Sequence, residues 1–139
     1  MANYSFTASA VIPSANATIE SGTAGESIAA GDNLYLDTAS STYKLHDANG
    51  ASATIRLFRG VAANTAATGQ RVQVIRKDPA LVYGTGLFAI GDTVIASATP
   101  GKSAPDADCA SGWYKTILGV AVTTGAIDLN PIAVTVAKA

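Results

Sequence analysis

The stretch Ile-Ala-Ala-Gly-Asp-Asn-Leu-Tyr-Leu at residues 28–36 reads like Phe-Ala-Ile-Gly-Asp-Thr-Val-Ile-Ala at residues 88–96, an offset of 60. Phe-Arg-Gly-Val-Ala at 58–62 is similar to Ile-Leu-Gly-Val-Ala at 117–121, and the Thr-Gly pair at 68–69 recurs at 124–125. Each match alone is weak because these residue types are common in the chain. Three matches in the same order at nearly the same offset favour an internal duplication.

The length of the repeat restricts the architecture. Two copies are too few for a solenoid, which needs at least about three. We therefore predict one β domain at residues 23–139, with pseudo-repeats at about 23–80 and 81–139. Gly31 with Asp32, and Gly91 with Asp92, are predicted to form equivalent structural turns, in which the Asp side chain caps backbone N–H groups.

Alternating polar and apolar residues predict strands along most of the β domain. The predicted strands are residues 33–37, 43–46, 55–59, 71–76, 81–83, 93–96, 114–118 and 132–136. Helix signals are poor, and only residues 105–110 suit a single helical turn, since Pro105 and two Asp residues favour its N-terminus. The predicted fold class is all-β, a small barrel or sandwich.

Residues 1–22 differ from the rest of the chain, because they hold a single charged side chain, Glu20. Pro13 disfavours a central strand. We predict an extended N-terminal arm, with a disordered leader as the alternative in the isolated protein. The apolar side chains expected to bind a partner are Tyr4, Phe6, Val11 and Ile12.

The composition narrows the function classes. Only 14% of the 139 residues are charged, whereas about a quarter is usual in soluble domains. The net charge is −1. Such a surface is cheaply desolvated and suits an assembly, although a neutral soluble domain is also compatible. Scattered Lys and Arg disfavour nucleic-acid binding. We expect no membrane span and no secretory signal, and the single cysteine, Cys109, fits a reducing cytosol.

Candidate chemistry is sparse. His46 is the only histidine, and we expect it to be a surface or half-buried strand residue. No second His or Cys could share a metal with it, and Asp106 and Asp108 lack the other ligands of a calcium loop. We predict no catalytic residue, no metal and no cofactor. Trp113 and Tyr114 suit either a binding interface or the core.

Several segments of the chain resemble tailed-phage capsid decoration, or cement, proteins. These segments are residues 22–37, Gly60-Val61-Ala62, residues 68–74, residues 91–94 and residues 97–121. The likeness spans residues 19–136. It implies a β-clip or β-tulip fold similar to the lambda-type head decoration protein, homotrimers, and the major capsid protein as partner. It also implies a location on the virion surface after synthesis in the bacterial cytoplasm. Residues 75–79 differ from the small, neutral residues that are frequent in relatives at this place. The resemblance therefore does not predict which contacts this segment makes.

The sequence is also compatible with two other functions. Some relatives are head fibres, so a head-fibre or tail-associated module that binds a host glycan is one alternative, favoured by an exposed aromatic platform. An enzyme or enzyme accessory domain is the other, because β-clip modules also occur beside catalytic domains. The missing catalytic constellation disfavours it.

Overall fold

The structure is a computed structural model that describes residues 3–139. Within these residues the chain forms nine β-strands and two short 3-10 turns, which confirms the all-β prediction. The strands are β1 (Thr18–Ala24), β2 (Asn33–Asp37), β3 (Thr42–Leu45), β4 (Gly60–Ala62), β5 (Arg71–Val82), β6 (Thr93–Ala96), β7 (Ser103–Pro105), β8 (Thr116–Ala121) and β9 (Ala126–Ala133). The 3-10 turns are Ala8–Ala10 and Asp106–Asp108.

The first half of the chain closes into a ring of five strands. The order is β1-β3-β2-β4-β5, and β5 pairs back onto β1. All of these pairings are antiparallel except β1–β3, which is parallel. The interior is filled by aliphatic side chains and one tyrosine, including Ile28, Leu34, Tyr43, Val72 and Val74. The closed ring leaves no free strand edge among these five strands. The buried cluster inside it gives this half a core of its own.

The second half continues from β5 in the order β9-β8-β6-β7. Its registers reproduce those of the first half. In the first half Tyr35 pairs with Lys44 and Leu34 with Gly60, and in the second Ile95 pairs with Ala104 and Val94 with Gly119. The C-terminal part of β5 belongs to this half, since Leu81 pairs with Ile127.

The N-terminal segment (residues 3–17) packs along this second half. The backbone N–H of Tyr4 donates to the carbonyl of Ser103 in β7, and Ile12 forms an antiparallel bridge with Val82 of β5. The predicted arm boundary at residue 22 lies inside β1, so residues 18–22 belong to the sheet. Met1 and Ala2 of the predicted arm lie outside the described residues.

The predicted strand at residues 55–59 is wrong, and the one at 132–136 coincides with β9 only at residues 132–133. Residues 55–56 lie in a turn, 57 in a bend and 58–59 in irregular chain; the N–H of Arg56 donates to the carbonyl of Ser52, and the N–H of Leu57 donates to the carbonyl of Thr54. The place beside β2 is taken by β4 instead. Alternation alone could not decide this, because β4 is only three residues long and is selected by its long-range pairing with β2 and β5.

Candidate functional site

The turn at Gly31 and Asp32 is held by a compact set of hydrogen bonds. An Asp32 carboxylate oxygen accepts from the N–H of Ala29 at 2.9 Å, and the N–H of Gly31 donates to Ala62 at 2.8 Å. Gly31 has φ +92°, a conformation that glycine adopts without steric cost. Asp32 is almost fully buried, and this burial raises its pKa, although the N–H of Ala29 and the Lys102 ammonium oppose the shift.

The turn at Gly91 and Asp92 has the same geometry. The Asp92 carboxylate accepts from the N–H of Ala89 at 2.9 Å, and the N–H of Gly91 donates to Ala121 at 2.8 Å. Gly91 also has φ +92°. Both Asp residues therefore cap a turn before a strand, and their carboxylates lie in separate halves rather than in a common acid–base site.

The apolar side chains of the predicted arm are mostly turned into their own domain. The Phe6 ring centroid lies 4.2 Å from that of Tyr83, and the Tyr4 ring meets Phe88 edge-on at 4.9 Å. Val11 is buried in the same cluster, whereas Ile12 is 57% exposed. Of the four side chains predicted to bind a partner, Ile12 is thus the most available.

A buried carboxylate that the sequence reasoning missed anchors this segment. Asp78 of β5 is fully buried, and it accepts hydrogen bonds from the backbone N–H of Ser14 at 2.7 Å and from the Ser14 hydroxyl. The N–H of Ala80 donates to the same carboxylate at 3.0 Å. A buried carboxylate needs such partners, because leaving it unpaired would cost several kcal/mol.

The two aromatic candidates have different environments. Trp113 is buried in a small cluster with Ile95, Ala104 and Cys109, which supports the core alternative for it. Tyr114 is half-buried, and the Arg56 guanidinium carbon lies 3.8 Å from its ring centroid. Trp113 is therefore not an exposed aromatic platform, and one face of the Tyr114 ring is covered by Arg56.

His46 is fully buried, so the expectation of a surface or half-buried histidine is wrong. It follows β3 directly, and its Nε2 lies 2.9 Å from the carbonyl oxygen of Arg56 while its ring meets Phe58 edge-on. Burial lowers the pKa of His46, against the opposing effect of that carbonyl. The imidazole is a packed core group in this fold.

A cleft at the junction of the two halves contains a charged cluster. The Glu20 carboxylate of β1 accepts from Arg59 Nε at 3.0 Å, from Arg76 Nη1 at 2.8 Å and from the Tyr43 hydroxyl. Burial alone would raise the pKa of Glu20, but these hydrogen bonds outweigh it and hold the pKa at about 2. Glu20 therefore stays ionised at neutral pH.

The C-terminal ribbon (residues 131–138) is the most exposed apolar part of the chain. It begins in the last residues of β9 and continues beyond that strand. The N–H of Val134 donates to the carbonyl of Lys115, and the N–H of Lys138 donates to the carbonyl of Trp113. Ile132, Val134 and Val136 are 58%, 43% and 72% exposed. Within residues 3–139 no backbone hydrogen bond reaches the other edge of the ribbon.

Val134 connects two shallow grooves beside the ribbon. One groove, of about 280 Å³, is shared with the exposed Leu57 and with Tyr114. The other, of about 390 Å³, is shared with Trp113 and Val136. A mostly apolar segment with a free backbone edge and two apolar grooves beside it is a surface suited to being covered by protein.

Among residues 3–139, no three His, Cys, Asp or Glu side chains are grouped as they would be around a metal ion. No helix in this part of the chain has the length and apolar character needed to cross a bilayer. In comparisons with known proteins, no family model matches the chain and no curated protein matches it.

Proposed function

We propose that this chain is a non-enzymatic virion structural protein that decorates the outside of an expanded icosahedral phage head. The observation that carries the proposal is the C-terminal ribbon, an exposed and mostly apolar segment at and beyond the end of β9 with an unpaired backbone edge. Exposed apolar area of this kind marks surfaces that are covered by protein in an assembly. The sequence resemblance to decoration proteins is the reason for proposing a phage capsid as that assembly.

The finer fold assignment belongs to the same proposal. We propose an internally duplicated β-clip type domain, in which β2, β3, β4 and the N-terminal part of β5 correspond to β6, β7, β8 and β9. The matched φ angles of Gly31 and Gly91 and the matched carboxylate caps of Asp32 and Asp92 support this duplication. The matched strand registers support it further.

The mechanism would be the bridging of neighbouring capsid subunits by homotrimers. Rupture of the shell would then also have to break the decoration contacts. Several weak contacts from one trimer act together through their high effective concentration, so attachment is tight although each contact is modest. The weakly charged surface, with 14% charged residues, makes such contacts cheap to desolvate.

The ribbon is the first candidate for the capsid contact. Its free backbone edge can add a strand to another sheet, in which main-chain hydrogen bonds give affinity. The predicted arm contributes through Ile12, because Tyr4, Phe6 and Val11 are engaged within their own domain. Deleting the segment would therefore change the fold as well as binding, so point substitutions separate the two effects better.

The test is co-sedimentation with undecorated expanded capsids, together with light scattering of the free protein. Val136→Glu is compared with Ile90→Glu, because both side chains are 72% exposed and Ile90 lines neither groove beside the ribbon. We expect Val136→Glu to weaken capsid binding at least about tenfold and Ile90→Glu to leave it near wild type. Wild-type protein that remains in the supernatant, or is bound as monomers or dimers, would contradict the proposal.

A further inference from the structure

The cleft around Glu20 carries more positive charge than its own ion pairs neutralise. It has a volume of about 600 Å³ and is open to solvent. Its charged lining consists of Arg59, Arg76, Lys77 and Glu20, so it carries a net charge of +2 on a chain whose total charge is −1. The cleft is therefore a local positive site on an otherwise acidic protein.

Glu20 fixes two of the cations in place. It bridges the Arg59 and Arg76 guanidinium groups, each of which is 39% exposed at its side chain. Arg59 donates two N–H groups to Glu20 and Arg76 donates one. Since a guanidinium carries five N–H donors, both groups keep further donors for a second anion.

Lys77 adds a cation that is not neutralised. It is exposed on β5, and no ion pair to it is found among residues 3–139. Arg guanidinium groups bind carboxylates in a planar, directional way, and a nearby ammonium adds attraction of lower directionality. The three cations together select an anionic group, for which a carboxylate has a suitable planar geometry.

The rest of the lining is apolar or uncharged. Ile19 of β1 is 41% exposed in the cleft, and Phe58, Pro131 and Ala133 line it as well. A small free anion would leave this apolar surface uncovered. An acidic side chain flanked by apolar residues would cover both kinds of surface at once.

We propose that this cleft binds an acidic peptide segment of a partner protein, with a Glu or Asp side chain placed between Arg59, Arg76 and Lys77 and apolar neighbours against Ile19. The two preorganised guanidinium groups lower the ordering cost of binding. The site shares Pro131 and Ala133 with the C-terminal ribbon, but its four charged residues lie outside the ribbon, and binding there does not require a capsid. Its occupancy would weaken with salt, because the cleft is open and its charges are screened.

The experiment titrates the full-length protein with a synthetic peptide of alternating valine and glutamate at low salt, followed by NMR amide shifts. The expected result is saturable shifts at β1, at residues 58–59 and in the middle of β5. Lys77→Gln should weaken binding several-fold, and Arg76→Gln with Lys77→Gln at least about tenfold. Arg71→Gln is the matched control, because Arg71 is an exposed cation of the same strand outside the cleft.

Three results would overturn the proposal. They are the absence of saturable binding, an equal loss in Arg71→Gln, and equal binding of a peptide in which glutamine replaces glutamate. Lys77→Gln keeps the test valid if the double variant is poorly folded, since it leaves the Glu20 pairs intact. Retained peptide binding by a Val136→Glu protein would separate this site from the ribbon.

Discussion

The buried carboxylate of Asp78 on β5 binds both the backbone N–H and the hydroxyl of Ser14. This contact joins the N-terminal segment to the strand shared by the two halves of the fold. It lies close to the register shift in the pairing of β5 with β9, between Asp78 and Leu81. The segment is thus attached by a polar anchor at one end and by aromatic packing at the other.

Asp78→Ala should lower the free energy of unfolding by about 2–4 kcal/mol, since it leaves buried N–H donors without their charged acceptor. Chemical denaturation measures this loss, and limited proteolysis should show faster cleavage before residue 18. Asp128→Asn is the control, because Asp128 is an exposed carboxylate on β9, and its effect should stay within about 0.5 kcal/mol. Equal stability of Asp78→Ala and wild type would show that the anchor is unimportant.

Phe6→Ala and Ile12→Ala should separate packing from surface exposure within the N-terminal segment. Phe6 packs against Tyr83 and Phe88, whereas Ile12 is 57% exposed. We expect Phe6→Ala to cost about 2–4 kcal/mol of unfolding free energy and Ile12→Ala less than about 1 kcal/mol. Thermal and denaturant unfolding measure both variants, and a similar loss in the two would contradict the docked position of the segment.

Gly31→Ala and Gly91→Ala should both destabilise the protein, but by different amounts. Both glycines have φ +92°, which costs a residue with a Cβ about 1–2 kcal/mol. A Cβ at Gly31 would also lie 3.1 Å from the Val11 side chain, whereas one at Gly91 would meet nothing within 4 Å. We therefore expect the larger loss at Gly31, measured by equilibrium denaturation. The reverse order would show that the Val11 contact is not limiting.

His46 should titrate below its ordinary pKa of about 6.5, because burial disfavours the imidazolium. The folded state then binds fewer protons than the unfolded state between the two pKa values. Its contribution to stability is complete above about pH 6.5 and is lost as the pH falls towards the folded pKa. The NMR titration is unambiguous, since the chain has one histidine. An imidazole resonance that titrates at or above about 6.5 would contradict the buried position.

Much of the local structure could be predicted from the sequence. Strands at residues 33–37 and 93–96 and the helical turn within residues 105–110 correspond to β2, β6 and the 3-10 turn Asp106–Asp108. These elements depend on alternation, on glycine at positive φ and on proline and aspartate at a helix start, which are properties of neighbouring residues. The positive φ of Gly31 and Gly91 depends on the same kind of local preference.

The candidate sites depended on contacts between residues far apart in the chain. Glu20, Arg59 and Arg76 form one cluster although 39 and 56 residues separate Glu20 from its two arginines. The sequence shows each of them only as a single charge. The burial of His46 and Trp113 likewise depends on which elements cover them.

The sequence by itself determined the β class, the repeated turns and the weakly charged surface, because composition and local backbone preference are enough for these. Only the tertiary structure decided that Tyr4 and Phe6 pack inward, that residues 55–59 are not a strand and that the C-terminal ribbon keeps a free edge. The physical reason is that burial and strand pairing are decided by competition between distant segments for the same partner. β4 pairs with the edge of β2, and the N-terminal segment covers the buried cluster of the second half. Both contacts join segments that are far apart in the chain.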